Sequence, residues 1–119
     1  MRINPDSREA VVLINDAKRI LFDYRQRTLT FAALERLFSP IEVKDLALRV
    51  ELLCNKSVGV LEKEFYYEDE AGRPLLIPSE YVKHYFLTGS LSHPETRMEI
   101  DDVSEDQIII EFLVRQWIG

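Results

Sequence analysis

Apolar residues recur at helical spacing through the first part of the chain. Between Asp6 and Arg27 they fall on one face, the pattern of an amphipathic helix packed against a core. Asp6 and Glu9 have the spacing of a capping box, in which each side chain satisfies a backbone N–H at the helix start. A short strand or turn is predicted at residues 27–30, and a second, shorter helix over Phe31–Phe38.

A third helix is predicted to begin at Ser39-Pro40-Ile41-Glu42 and to end at Leu53 or Cys54. Ser favours the N-cap, Pro fits the first helical position because its missing N–H would be unpaired there, and Glu42 completes a capping box. Asn55 is predicted to end the helix in the left-handed conformation. The buried face is expected to comprise Val43, Leu46, Ala47, Val50 and Leu53.

The apolar period changes to two from Val58, which predicts a hairpin over residues 58–77 with its turn at Gly72-Arg73-Pro74. Pro74 and Pro78 confine the return strand, residues 75–77, to a sheet edge. One face of the first strand carries Val60, Glu62, Glu64 and Tyr66, and the other carries Leu61, Lys63, Phe65 and Tyr67.

The rest of the chain, residues 79–119, is expected to form a β-rich extension. Residues 79–81 suit one helical turn, residues 81–87 are rich in strand formers, residues 88–97 read as a loop, and residues 101–106 form an acidic turn.

The segment 107–118 fits either a strand or a helix. The helical alternative begins with a capping box at Ser104 and Gln107, whereas the β-branched run from Ile108 to Ile110 favours a strand. That strand would line one face with Ile108, Ile110, Phe112 and Val114.

Composition indicates a single domain over the 119 residues, with 46% hydrophobic and 30% charged residues. Cys54 is the only cysteine, which excludes an intramolecular disulfide and fits a reducing compartment. No apolar stretch reaches the roughly 18 residues of a membrane span. The N-terminal sequence is polar, so the expected location is the cytoplasm.

Charge is distributed unevenly. Residues 1–50 hold nine Lys/Arg and seven Asp/Glu, a net +2, whereas residues 51–119 hold six and fourteen, a net −8. The hairpin carries five carboxylates against Lys63 and Arg73. These carboxylates are Glu62, Glu64, Glu68, Asp69 and Glu70.

The stretch LTFAALERLFSPIEVKDLALRVELLCNKSVGVLEKEF resembles a winged helix-turn-helix. FAALERLF is similar to the first helix of the pair, SPIEVKDLALRVELL to the recognition helix, and VGVLEKEF to the step into the wing. One or two residues are expected between these two helices, as in a helix-turn-helix. The resemblance covers residues 7–78 and implies an α+β fold with a helical part (7–55), a wing (56–78) and the extension (79–119).

The tail SHPETRMEIDDVSEDQIIIEF is similar to the tail of small accessory modules of multi-component prokaryotic systems. Some of those tails bind zinc through paired cysteines. This chain has none, so no metal or cofactor is expected.

The resemblance implies that the third helix enters the DNA major groove. Its expected exposed set, listed here, has a net charge of −1: Glu42, Lys44, Asp45, Arg49 and Glu51. Carboxylates on the wing would repel phosphates, whose neutralisation supplies most non-specific affinity. Charge therefore favours a protein partner over nucleic acid.

Two hypotheses follow. The first is a non-catalytic protein-interaction or adaptor module that binds a basic partner through the acidic wing and tail, with Tyr67 beside the five carboxylates at the contact. The second is a dimeric DNA-binding regulator. Its contact residues would be Lys18, Arg19, Arg25, Arg27, Lys44 and Arg49. The oppositely charged halves also suggest homo-oligomers.

Enzyme and metal chemistry find little support. Asp102, Ser104 and Asp106 have the spacing that opens a calcium loop, but Gln107 and Leu113 stand where that loop needs Gly and Glu. His84 and His93 have no third ligand in a recognised spacing, and the glycines are scattered. Cys54 is expected to be a small core residue. No catalytic residue is predicted.

Overall fold

A computed structural model describes residue 4 and residues 6–117. The chain is α+β, as predicted, with four α-helices and a four-stranded antiparallel sheet in the described part. It divides into two compact units, one of residues 1–63 and 112–119, the other of residues 64–111. We call these the helical unit and the hairpin unit.

Helix α1 spans Arg8–Leu21 and begins at Ser7, whose hydroxyl accepts a hydrogen bond from the Ala10 N–H at 3.1 Å. The predicted capping box of Asp6 and Glu9 is wrong because Ser7 takes the N-cap position. The helix also ends earlier than predicted: a 3-10 turn, Phe22–Tyr24, follows it, and Gln26 is left-handed with φ of 67°. These features turn the chain into strand β1, Thr28–Leu29.

Helix α2 spans Phe31–Leu37 and α3 spans Val43–Leu53. The predicted cap of α3 at Ser39 is wrong, because Ser39 directly follows the C-cap of α2 at Phe38 and its N–H donates back to the Arg36 carbonyl. The N-cap is Glu42, with no side-chain cap bond. Residues 38–42 therefore separate the helices, more than the one or two residues expected.

The buried stripe of α3 also differs from the predicted one. Leu46, Val50 and Leu53 are buried as expected, joined by Leu52, whereas Val43 is 58% exposed. Ala47 is exposed as well. After α3, Asn55 organises a turn by accepting the N–H groups of Val58 and Gly59, and Gly59, not Asn55, is left-handed, with φ of 64°.

The sheet has the strand order β1-β6-β2-β3, in which β2 spans Leu61–Glu68, β3 spans Pro74–Ile77 and β6 spans Ile108–Val114. The hairpin and the edge position of β3 are confirmed, although Pro74, predicted in the turn, is the first residue of β3 and pairs with Glu68. The strand interpretation of the last segment is confirmed over Ile108–Val114, but the predicted bounds are wrong, because Gln107 belongs to a 3-10 turn and residues 115–117 form no strand. Residue 118 lies outside the described residues. Ile110 is 42% exposed, so it does not share the burial of Phe112 and Val114.

Helix α4, Ser79–Thr88, replaces the strand-like segment predicted between β3 and the loop. Val82 and Tyr85 are buried at helical spacing, so burial overrides the strand propensity of the aromatic residues. Gly89, with φ of 80°, ends the helix. The predicted loop, residues 88–97, contains strand β4, Leu91–Ser92, which pairs with β5, Glu99–Ile100, just after the loop.

Each unit has its own core. The helical unit buries side chains from all three of its helices together with Val60, Phe112 and Val114. The hairpin unit buries Tyr67, Ile77, Val82, Tyr85 and Leu91. None of the described helices has the length and apolar character needed to cross a membrane.

Candidate functional site

The register of the hairpin separates its two faces. Phe65 pairs with Ile77 and Tyr67 with Leu75, and these partners contribute to the core of the hairpin unit. Tyr66 pairs with Leu76 and Glu68 with Pro74. Because cross-strand partners point to the same side of a sheet, this second set forms the opposite face. We define the acidic hairpin face by its residues: Glu64, Tyr66, Glu68, Pro74 and Leu76.

Leu76 and Tyr66 form the apolar centre of this face. Leu76 is 57% exposed, although it lies directly opposite the Tyr66 ring. The Asp69 N–H donates to the Arg73 carbonyl, which makes that pair hydrogen-bonded, and alternation along the ladder makes Tyr66–Leu76 a non-hydrogen-bonded pair. Side chains approach most closely in pairs of this kind.

Carboxylates surround Tyr66. Its pKa is raised, first by partial burial, then by the negative charges of Glu64 and Glu111, and last by a hydrogen bond to Glu64. Glu111, on β6, was not predicted as a site residue. Two acidic groups therefore act on the Tyr66 phenol, and no Lys or Arg lies among the residues that shift this pKa.

Asp69 has a different role from the one predicted. Its Oδ1 accepts the N–H groups of Ala71 and Arg73 at 3.0 and 2.9 Å, and its Oδ2 accepts the Arg73 Nε at 2.9 Å. These bonds to Arg73 first of all lower the pKa of Asp69. The carboxylate closes the hairpin turn, with Gly72 at φ of 80°, and is not free for a partner.

Tyr67 is also placed differently. It is 4% exposed, and its ring meets the His93 ring edge-on with centroids 6.4 Å apart. The structure thus places Tyr67 in the core of the hairpin unit and not beside the exposed carboxylates, where the sequence predicts it. Alternation did carry the signal, because Tyr67 shares its face with Leu61 and Phe65, whereas Tyr66 shares its face with Glu62 and Glu64.

The other predicted carboxylates differ in availability. Glu62, in the helical unit, pairs with Arg115 at 3.0 Å, and both side chains are half-exposed. Glu70 is exposed at the turn. Glu68 is partly buried, and its backbone carbonyl accepts the Gln107 side-chain amide at 3.2 Å.

The open edge of the hairpin is protected against strand addition. By the same alternation, residues 74, 76 and 78 direct their backbone groups away from β2. Two of the three are prolines without an N–H, which leaves the Leu76 N–H as the single donor along this stretch. A partner therefore meets the face of the hairpin more readily than its edge.

The predicted basic set does not form one free patch. Asp16 accepts Arg19 at 2.6 Å and lies 3.9 Å from Arg49. Arg25 lies over the Phe22 ring at 3.9 Å and donates to the Phe22 carbonyl. Arg27 and Lys44 are exposed, and Lys18 is half-buried.

The remaining chemical candidates have structural roles. Burial raises the pKa of the Cys54 thiol, an effect that the charge of Lys63 only partly offsets. The His93 Nδ1 accepts the Glu95 and Thr96 N–H groups, and Ser104 and Gln107 form a capping box, although on a 3-10 turn before β6. Within the described residues, no three His, Cys, Asp or Glu side chains are grouped as metal ligands.

The two units differ strongly in charge. The helical unit holds twelve Lys/Arg and nine Asp/Glu, a net +3, and the hairpin unit holds three and twelve, a net −9. Comparisons with known proteins add no relative: no family model, no curated protein and no solved structure matches the chain.

Proposed function

We propose that this chain is a non-catalytic protein-interaction module that binds a basic segment of a partner protein through the acidic hairpin face. The observation that carries the proposal is the exposed Leu76 beside Tyr66, surrounded by carboxylates on the same face. Exposed apolar groups with a charged rim are the usual anatomy of a protein contact.

The chemistry of the partner follows from the face. Leu76 and Tyr66 offer apolar contact, and Tyr is among the residues that most often dominate binding energy. Glu64, Glu68 and Glu111 attract Lys or Arg, and an Arg side chain also stacks on a phenol ring. The expected ligand is a segment that places at least one apolar side chain between cationic ones.

The scaffold in this proposal is winged-helix-like. Helices α1, α2 and α3 precede the β2–β3 hairpin in the chain, the order of elements on which the resemblance rests. Strand β6 lies between β1 and the hairpin in the sheet. The hairpin takes the place of a wing, and its charge directs it to protein in place of phosphate.

The proposal can be tested with a displayed library of protein-derived peptides selected on the purified chain. We expect the selected peptides to combine Lys or Arg with an apolar residue. Fluorescence anisotropy with the tightest peptide should then show at least about a tenfold loss of affinity for Glu64→Lys/Glu68→Lys/Glu70→Lys, and a similar loss for Tyr66→Ala.

The matched control changes the same number of charges in the helical unit, at the exposed residues Glu9, Asp23 and Glu51, each to Lys. Its affinity should stay within about twofold of the wild type, because these three residues take no part in the proposed face. Selection of peptides without basic residues, or equal losses in the two triple variants, would refute the proposal.

A second candidate function is a dimeric DNA-binding regulator, which the net +3 of the helical unit favours. Exposed Arg27 and Lys44 would contact phosphates, with Lys18, Arg19, Arg25 and Arg49. The pairing of Arg19 and Arg49 with Asp16 counts against it. A gel shift with genomic fragments at low salt decides: a shift abolished by Arg27→Glu/Lys44→Glu supports DNA binding, and no shift at micromolar protein removes it.

A further inference from the structure

A groove between α1 and α3 is lined by both apolar and charged side chains. Leu13 of α1, Pro40 and Ile41 of the preceding loop and Leu48 of α3 enclose about 510 Å³. Glu42 and Asp45 lie at its rim. All of these residues belong to the helical unit.

One wall of the groove is held in place. The Arg49 guanidinium lies 5.3 Å from the centre of the Phe38 ring and 3.9 Å from Asp16. The charge of Arg49 is therefore partly balanced by Asp16. Glu42 and Asp45 are both exposed, and neither has a cation within ion-pair distance among the described residues. The groove thus joins apolar side chains to two carboxylates that have no ion pair in the described part of the chain.

Helix α4 has the complementary surface. Leu87 is 85% exposed, the highest value among the large apolar side chains that the structure describes, and Phe86 is 59% exposed. Lys83, also exposed, lies three and four positions earlier, so the three side chains are neighbours on the helix surface. None of them belongs to the core of the hairpin unit.

These anchor side chains are on ordered backbone. The Gly89 N–H donates to the Tyr85 carbonyl at 2.7 Å and the Thr88 hydroxyl to the His84 carbonyl at 2.8 Å, which closes the last turn of α4. The Phe86 ring packs against the Tyr85 ring with centroids 5.5 Å apart. Anchors fixed before binding lose less conformational entropy on association.

Charge indicates what occupies the groove. Lys83 is one of only three cations in the hairpin unit, and of the other two Arg73 is paired with Asp69. Lys83 matches the acidic rim locally, and the units match as wholes, with −9 against +3. Contacts between two hairpin units are disfavoured by like charge, so the attraction between copies runs from the hairpin unit of one to the helical unit of the other.

We propose that α4 of one copy docks into the α1–α3 groove of a second copy of this chain. Phe86 and Leu87 enter the groove, and Lys83 lies beside Asp45. The contact joins two different surfaces, so it forms a two-fold pair only when made twice, and otherwise closes rings or extends head to tail. This inference is independent of the acidic hairpin face, whose residues take no part.

Sedimentation velocity tests the inference over a range up to about 1 mM protein, where weak contacts are populated. We expect mass to rise with concentration at low salt. Leu87→Glu should weaken association at least about tenfold. The matched control is Leu76→Glu, which adds the same charge at another exposed leucine of the same unit and should associate like the wild type.

A charge exchange identifies the groove as the receptor. Lys83→Glu and Asp45→Lys should each weaken association, and the double variant should recover it. If circular dichroism shows that Asp45→Lys loses helix, Glu42→Lys takes its place. A wild type that stays monomeric throughout, equal effects of the two leucine variants, or a double variant without recovery would overturn the proposal.

Discussion

The helical unit and the hairpin unit differ in how their charged side chains are balanced. In the helical unit, Asp16 serves two arginines and Glu62 pairs with Arg115, so cations and anions are interspersed. The hairpin unit contains twelve carboxylates and only three Lys or Arg side chains, and one of these, Arg73, forms an ion pair with Asp69. Like charges at this density oppose compact folding. This excess of carboxylates in the hairpin unit is what the proposed binding of a basic partner requires.

The units also differ in the size of their cores. Eleven buried residues form the cluster of the helical unit, and five form that of the hairpin unit. A smaller core with unpaired charge has less to oppose local opening. The part of the molecule with the more exposed apolar and acidic groups is therefore also the part expected to open more easily.

The largest effect that tests this comparison comes from a matched pair of core substitutions. Leu46 of α3 and Leu91 of β4 are both fully buried, so Leu46→Ala and Leu91→Ala should each cost about 2–5 kcal/mol. Because the two side chains belong to different clusters, Leu91→Ala should accelerate hydrogen exchange in residues 75–108 and leave α1 to α3 protected.

Native-state hydrogen exchange by mass spectrometry, with chemical denaturation for the total stability, measures both effects. Leu46→Ala is the reciprocal control, since it should expose the helical unit first. If either variant accelerated hydrogen exchange equally in the helical and hairpin units, the whole chain would unfold cooperatively, and the two units would not differ in local stability.

The hairpin was predictable because its signals are local. Alternation over residues 58–68, Gly72 in the turn and Pro74 on the return strand all act within a few residues, and the edge position of β3 followed from its prolines. Alternation also places Tyr66 and Tyr67 on opposite faces of β2, and Tyr67 shares its face with the apolar residues Leu61 and Phe65. Which of the two faces is buried depends on what packs against the strand, and the local sequence does not show that.

Helix α4 and the N-cap of α3 were not predictable in the same way. Tyr81, Tyr85 and Phe86 favour strands intrinsically, and only the burial of Val82 and Tyr85 against the hairpin-unit core makes a helix the better solution. Ser39 has the composition of an N-cap, yet its N–H completes the end of α2. Glu111 acts on Tyr66 because β6 pairs with β2 in the sheet, and no local sequence pattern predicts that pairing.

A smaller, local effect is expected at the hairpin turn in acid. The pKa of Asp69 is depressed in the folded state, so its contribution to stability is present above the unfolded value, near 3.8, and is lost as pH falls through the folded value. Below about pH 4 we expect the Ala71 and Arg73 amides, which bond to Asp69, to shift and exchange faster.

Amide NMR across the acid range measures this change. Asp69→Asn is the control, because it should remove the titration of those two amides and weaken the turn at neutral pH. Glu70→Gln should leave both the turn and its titration intact, since Glu70 is exposed beside the turn. Unchanged amides through acid pH would mean that the Asp69–Arg73 contacts do not hold the turn.

The smallest effect is a gain in stability, in contrast to the losses expected above, and it bears most directly on the proposed function. Glu64 and Glu111 are like charges that both act on Tyr66, so removing one by Glu64→Gln should relieve their mutual repulsion and stabilise the free chain by about 0.5 kcal/mol, because the new amide oxygen can still accept the Tyr66 hydroxyl. The pKa of Tyr66 should fall toward its ordinary value of 10.0, because the negative charge of Glu64 that raises it is lost.

Tyrosinate absorbance follows that titration, with Tyr66→Phe identifying the transition. The raised pKa makes the contribution of Tyr66 to stability present below 10.0 and lost as pH rises through the folded value, so Glu64→Gln should lower the pH at which alkaline loss begins. Glu51→Gln, an exposed glutamate of the helical unit, is the control and should change neither quantity. A Glu64→Gln variant that is more stable yet binds basic peptides less well would show that the hairpin unit keeps its charge for binding. A Glu64→Gln variant that is less stable than the wild type would show that Glu64 stabilises the fold.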